Sequence, residues 1–303
     1  MASGDRLVVP ALLAVSFSFA TMAIAGKIAL TGLPPLALAG VRVASAAVVL
    51  LAAAWFVARE RVPRADLARM AGLAFLGVTV NQVLFIQGLS LTGAIPATVL
   101  VATIPAFTLL VAGVLGHEKL TARRGFGVAV SFTGVVVLLG ASAVGGLGTS
   151  LLGDALILVN ALSYSFYLVL SRPVLARYSP VTVVGVTFGF GALFTLAVSA
   201  PSLATVDWAA LPRDVVLATG WVVLVSTILA YGLNNWVLRR APASTVASYV
   251  YLQPLIAAAL AIPLFGEALT PGILAGGALI LGGVALVTRD GRPKAAPLPA
   301  APE

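Results

Sequence analysis

Ten apolar stretches follow one another along the chain, each long enough to cross a bilayer and each closed by turn residues or charge. They cover residues 8–30, 35–58, 67–90, 96–115, 125–141, 151–175, 181–200, 214–238, 244–265 and 271–288. At ~1.5 Å per helical residue, the first of them is long enough for a ~30 Å hydrocarbon core. The pattern predicts an all-α integral membrane fold with ten transmembrane helices. Beyond residue 290, the Pro- and Ala-rich segment to Glu303 is expected to be a disordered cytoplasmic tail.

The pattern also repeats. Pro105, Glu118, Thr121 and Gly134 match Pro254, Glu267, Thr270 and Gly283 at one constant offset of 149 residues. Earlier in each half, Ser18, Lys27 and Pro35 match Ser163, Arg172 and Pro180 at an offset of 145. The change of offset implies about four extra residues in the second copy, placed in the loop 201–213. Residues 1–145 and 146–290 are thus expected to be two five-helix repeats. An odd number of spans per repeat forces the second copy to insert upside down, the architecture of alternating-access carriers.

Composition narrows the class. The chain is 60% hydrophobic and only 9% charged, with mean hydropathy +1.10, whereas a soluble domain carries roughly 25% charged residues. Its net charge of +8 sits in short clusters between apolar runs, which sets membrane orientation and does not form a nucleic-acid-binding face. Fifteen of the 18 Lys and Arg residues lie on one side, Lys27 and Arg213 on the other, and Arg42 within the second span. The basic side is expected to be cytoplasmic, with both termini inside the cytoplasmic membrane. Arg6, the apolar run and Ala23 to Gly26 resemble a secretory signal. The length of the run, and its place as the first helix of a repeat, favour a retained span. Zero cysteines exclude thiolate chemistry and a single histidine makes a histidine-based metal site improbable, so no cofactor or metal is expected.

Several residues stand out against this apolar background. Pro105 and Pro254 remove backbone donors within apolar helices, so they mark either hinges or static kinks. Asn81, Gln82, Asn160, Asn235 and Gln253 are amides in apolar stretches, where they either bond helix to helix or face a wet cavity. Asn160, Ser163, Tyr164 and Tyr167 share one helical face, as do Tyr231 and Asn235. Phe19, Tyr164, Tyr167, Trp236, Tyr249 and Tyr251 either stack on a substrate or, for Tyr and Trp, belong to an interfacial belt, to which Trp55, Trp208 and Trp221, near span ends or in loops, are assigned. Lys27 either snorkels to the interface or forms a gate. Arg42, about 10 Å into the second span, is a gate candidate able to meet a substrate carboxylate, although its repeat counterpart is Thr187. Asp154, Glu118 and Glu267 stand at helix ends, where solvent or helix termini can satisfy them. Glycines of the fifth and tenth spans, Gly127, Gly134, Gly276 and Gly283 among them, are expected to permit close helix approach in a scaffold.

The order of these features resembles the EamA branch of the drug/metabolite transporter superfamily. The resemblance rests on Lys27, on Pro34 and Pro35 followed by Arg42, on Asn81 and Gln82 with Phe85, and on Pro105 to Glu118. It continues with Gly153 and Asp154, Tyr231 to Arg240, Tyr251 to Pro254, and Gly266 with Glu267, and so spans essentially the whole chain. It implies a ten-helix carrier in the cytoplasmic membrane that exports amino acids or other small metabolites. The chain departs from many relatives at Phe17 and Gln253, where these carry Trp and Glu.

The resulting expectation is a secondary transporter moving a small amphipathic metabolite by alternating access, around a cavity built from spans 1, 3, 4, 6, 8 and 9. Its partners are that small-molecule substrate and membrane lipid. A passive channel is the alternative. An intramembrane enzyme would need a constellation such as His-Glu-x-x-His or a paired intramembrane Asp, which the chain lacks, and inverted duplication argues against a purely structural membrane protein.

Overall fold

The computed structural model describes residues 7–117, 121–143, 150–238 and 249–289, and these residues form ten helices. They are α1 Val8–Ala29, α2 Pro35–Ala58, α3 Arg64–Leu91, α4 Ala94–Val114, α5 Ala122–Ala143, α6 Leu151–Leu175 and α7 Pro180–Ala204. The set is completed by α8 Arg213–Asn234, whose backbone stays helical to Leu238, by α9 Tyr249–Phe265 and by α10 Pro271–Arg289. The first eight are long and apolar enough to cross a membrane; the described parts of α9 and α10 are shorter. Asn235 falls within α8, but its side chain lies outside the described residues, as do Glu118 and the tail after Arg289.

Prolines set many of the helix starts. Pro35, Pro180 and Pro271 stand first in α2, α7 and α10, and Pro63 and Pro212 immediately precede α3 and α8. A proline costs nothing there, because a first-turn N–H has no helical acceptor. Large apolar side chains point away from the protein along the helices, including Val48, Trp55 and Phe56 on α2, Phe126 and Val136 on α5 and Leu193 on α7. This is the surface that lipid covers.

Two antiparallel helix pairs reveal the relation between the halves. On α2 and α7, Gly40 packs on Ser199 while Gly185 packs on Ala54 and the Leu50 carbonyl. These two contacts interchange under the 145-residue offset. On α5 and α10, a Cβ added to Gly127 would lie 2.7 Å from the Gly283 carbonyl oxygen, and one added to Gly134 would lie 2.6 Å from that of Gly276. Those contacts interchange under the 149-residue offset. Each pair therefore crosses itself about a pseudo-two-fold axis, and the halves are inverted relative to each other. α7 with the connection 205–212 exceeds α2 with the connection 59–63 by four residues, which accounts for the change of offset.

The same symmetry governs the helix irregularities. α3 widens to π-helical turns over Phe75–Val80 and α8 over Leu224–Leu229, at an offset of 149. α4 is interrupted between Val101 and Ile104, and at the equivalent point of α9 a 3₁₀ turn, Tyr249–Tyr251, hands over to an α-helix from Leu252. Pro105 and Pro254 follow these interruptions. Each thus stands in the first turn of a new helix instead of inside a continuous one.

Carboxylates tie the connections together at both ends of the bundle. On the basic face, Glu60 accepts from the Ser179 N–H at 2.9 Å, and Asp66 accepts from the Tyr178 hydroxyl at 2.7 Å and pairs with Arg177 at 3.4 Å. The Asp66 bond raises the Tyr178 phenol pKa above its ordinary value. On the opposite face, Glu267 accepts from the Ala94 and Ile95 N–H groups at 2.6 and 2.9 Å, capping the first turn of α4.

Candidate functional site

Amides inside an apolar bundle must find partners. Here they find them where the two repeats meet. The Gln82 Nε2 on α3 donates to the Asn81 Oδ1 and to the Tyr231 hydroxyl on α8, both at 2.9 Å. Gln82 and Tyr231 are repeat equivalents, separated by 149 residues, so the bond between them lies on the pseudo-two-fold axis. From α6, the Asn160 Nδ2 donates to the Asn81 carbonyl at 2.7 Å. Three residues on, the Ser163 hydroxyl donates to the Leu76 carbonyl within the wide turn of α3 at 2.8 Å.

Aromatic rings enclose this seam. The Tyr231 ring meets Phe19 edge to face at 5.8 Å and Phe188 at 5.1 Å. Tyr164 and Tyr167 stack at 5.8 Å, and Tyr167 lies so close over Gly77 that any side chain there would collide with the ring. α2 brings in the seam's cation. Arg42 is 3% exposed, and its Nε donates to the Thr227 hydroxyl at 2.7 Å. That hydroxyl donates in turn to the Val222 carbonyl at 2.7 Å, five residues back across the wide turn of α8.

Of the residues singled out by sequence, the structure thus gathers Phe19, Arg42, Asn81, Gln82, Asn160, Tyr164, Tyr167 and Tyr231. The others lie elsewhere. Tyr251 is half-buried against Ala106, Leu109 and Val128 in a separate apolar cluster. Gln253 and Pro254 are buried beside the α9 turn without joining the seam's bonds, and Pro105 is buried at the start of the second part of α4. Lys27 is half-buried at the end opposite the basic face, within electrostatic reach of Glu267.

Three expectations need correction. α2 and α7 also line the seam, because Arg42 reaches Thr227 and Phe188 reaches the Tyr231 ring on α8. Asp154 is not satisfied by solvent. It is fully buried, and its two carboxylate oxygens accept from the Thr92 and Ser142 hydroxyls, each at 2.5 Å. Trp221 is not an end-of-span residue; about two turns into α8, its indole N–H donates to the Thr21 hydroxyl of α1 at 3.0 Å. Sequence reasoning missed Thr227 and Thr79: threonine in an apolar helix can satisfy itself on its own backbone and leaves no pattern, and the Thr79 hydroxyl on α3 donates instead to the Gly191 carbonyl of α7 at 3.3 Å.

The seam's side chains bond to one another, and two recesses lie near them. One of about 270 Å³ is lined by Arg69, Gly72, Leu73, Leu76 and Leu170, another by apolar residues of α4 and α6. Inverted repeats, helices interrupted in the membrane and a buried polar seam between the halves define a class, the non-enzymatic membrane transporters with inverted repeats. Within that class the chain belongs to the EamA-like transporter family, whose model matches it twice, over residues 6–140 and 151–289.

Relatives agree in length and kind. A probable terminal-alkyne amino-acid exporter of Streptantibioticus cattleyicolor is 31% identical, over 85% of this chain and 84% of its own. A probable amino-acid metabolite efflux pump of Salmonella typhimurium is 28% identical, over 85% and 87%. The uncharacterized inner membrane transporter YedA of Escherichia coli is 28% identical, over 80% and 78%. A crystal structure superposes with a TM-score of 0.64 at 22% identity, covering 95% of this chain and 98% of that one, and so shares its fold.

Proposed function

We propose that this transporter exports a small amphipathic metabolite, an amino acid or a close chemical relative, by alternating access. The observation that carries the reading is the seam on the pseudo-two-fold axis, where Gln82 and Tyr231 join the halves inside an apolar bundle. A carrier needs its site between two bodies that rock against each other. Amides, phenols and rings offer such a ligand both polar and apolar partners. The names of the S. cattleyicolor and S. typhimurium relatives support the amino-acid class.

The basic face is cytoplasmic, by the bias of Lys and Arg, and the protein resides in the inner membrane with both ends inside. The halves divide near residue 145. Pro105 and Pro254, at equivalent interruptions, are the points where α4 and α9 flex, and Lys27 with Glu267 forms part of the outer gate. A channel would require a continuous wet path, whereas the polar groups here close on one another.

The test is counterflow. Purified protein in liposomes preloaded with an unlabelled amino acid is expected to accumulate the labelled form transiently, without a pH gradient. Luminal label that only rises to the concentration in the medium, never exceeding it, would contradict a carrier.

A further inference from the structure

We infer that the Arg42 guanidinium, positioned by Thr227, is the counter-ion for a carboxylate on the transported solute. The inference rests on the carrier reading above and adds the substrate's charge and orientation to it.

Arg42 is a cation about 10 Å along α2 from Pro35, 3% exposed, in a bundle where a buried charge is costly unless paired. Among the described residues, the carboxylates stand elsewhere. Glu60 and Asp66 hold the connections of the basic face, and Asp154 is held by Thr92 and Ser142. Glu267 caps α4, Asp207 caps its own turn, and Asp214 is in the first turn of α8, thirteen residues before Thr227. What Arg42 does have is one neutral bond, from Nε to the Thr227 hydroxyl, and the Tyr231 phenol in its electrostatic surroundings. A guanidinium has five N–H donors. Fixing Nε leaves the two terminal nitrogens, a planar fork that matches a carboxylate in bidentate fashion.

Thr227 is held in turn. Its hydroxyl hydrogen is committed to the Val222 carbonyl, so its oxygen faces Arg42 as an acceptor. The wide turn of α8 thereby becomes a positioning device for the cation.

Symmetry sharpens the argument. The repeat equivalent of Arg42 is Thr187, whose hydroxyl donates to the Val183 carbonyl of its own helix at 2.7 Å. The scaffold has a pseudo-two-fold axis and the charge does not. A solute bound on the axis is therefore oriented, its carboxylate toward α2 and its apolar body against the rings of Phe19, Tyr231 and Phe188. The ligand class is a monocarboxylate with an apolar body, whether an amino acid or a simple organic acid.

The experiment separates those sources and the two readings. Binding to purified protein and counterflow in liposomes are both measured for phenylalanine, phenylalaninamide, phenethylamine and 3-phenylpropionate, and for the other amino acids with their amides. Carboxylates are expected to bind at least tenfold more tightly than the matching amide or amine. If 3-phenylpropionate binds as well as phenylalanine, the site accepts organic acids generally; if not, it also requires the amino group.

Arg42→Gln should remove this discrimination, bringing acid and amide to similar affinity, and Arg42→Lys should keep part of it. Thr227→Val should narrow the acid-to-amide ratio several-fold and Thr227→Ser restore it, a change that lost packing alone would not produce. Should Arg42→Gln fail to fold, the Arg42→Lys and Thr227 variants decide. Equal binding of amide and acid to the wild type, binding of neither, or wild-type discrimination in the variants overturns the inference. Counterflow of an uncharged solute would then leave the carrier standing. Carboxylate binding without any counterflow would instead remove the carrier and keep the anion site.

Discussion

The Tyr231 hydroxyl is one of two acceptors for the Gln82 amide, which is 2% exposed and so cannot turn to water. Tyr231→Phe keeps the ring contacts with Phe19 and Phe188 but deletes that acceptor, at an expected cost of about 1–3 kcal/mol. Thermal unfolding in detergent should show a lower Tm; an unchanged Tm would mean that the axial bond contributes nothing. At this scale the sequence was partly legible. Amides in apolar helices are conspicuous, and Asn81, Gln82 and Asn160 proved to be bonded together. Gln82 and Tyr231 were not recognisable as a pair, because equivalent positions carry unlike residues and only their contact exposes the relation. Asp154 was misjudged because its place near a helix start suggested solvent, whereas Thr92 and Ser142 close over it.

Between helices, backbone proximity governs the scaffold. A methyl at Gly134 would press on the Gly276 carbonyl across the α5–α10 pair, so Gly134→Ala should cost about 1–3 kcal/mol of stability. Gly140, on the same helix with nothing near its missing Cβ, is the control, and Gly140→Ala should unfold at or slightly above the wild-type temperature. Equal melting of the two variants would dissociate the glycines from packing. The interruptions of α4 and α9 invite a different readout. Pro105→Ala should slow counterflow several-fold while substrate affinity stays put, and wild-type exchange rates would deny the interruption a part in movement. The span limits were legible from turn residues and charge, and the glycine scaffold from composition. The wide turns of α3 and α8 were not, since a π turn carries no proline or glycine signature, and the hydroxyls that meet carbonyls there, Ser163 on Leu76 and Thr227 on Val222, leave no pattern in the sequence.

For the molecule as a whole, the duplication was legible in the constant offsets of a few prolines, glycines and carboxylates, and the helix pairs α2–α7 and α5–α10 show it in space. The absence of cysteine makes the orientation simple to check. Arg61→Cys should react with an impermeant maleimide only from the cytoplasmic side and Trp208→Cys only from outside, and the reverse would invert the assignment. The most direct test of alternation is a single cysteine in the interior, Thr79→Cys, between α3 and α7, probed in right-side-out and inside-out vesicles. Access from one face should rise as access from the other falls when saturating substrate is placed on one side. Access through one face under every condition, or rates that rise and fall together on both faces, would contradict alternating access.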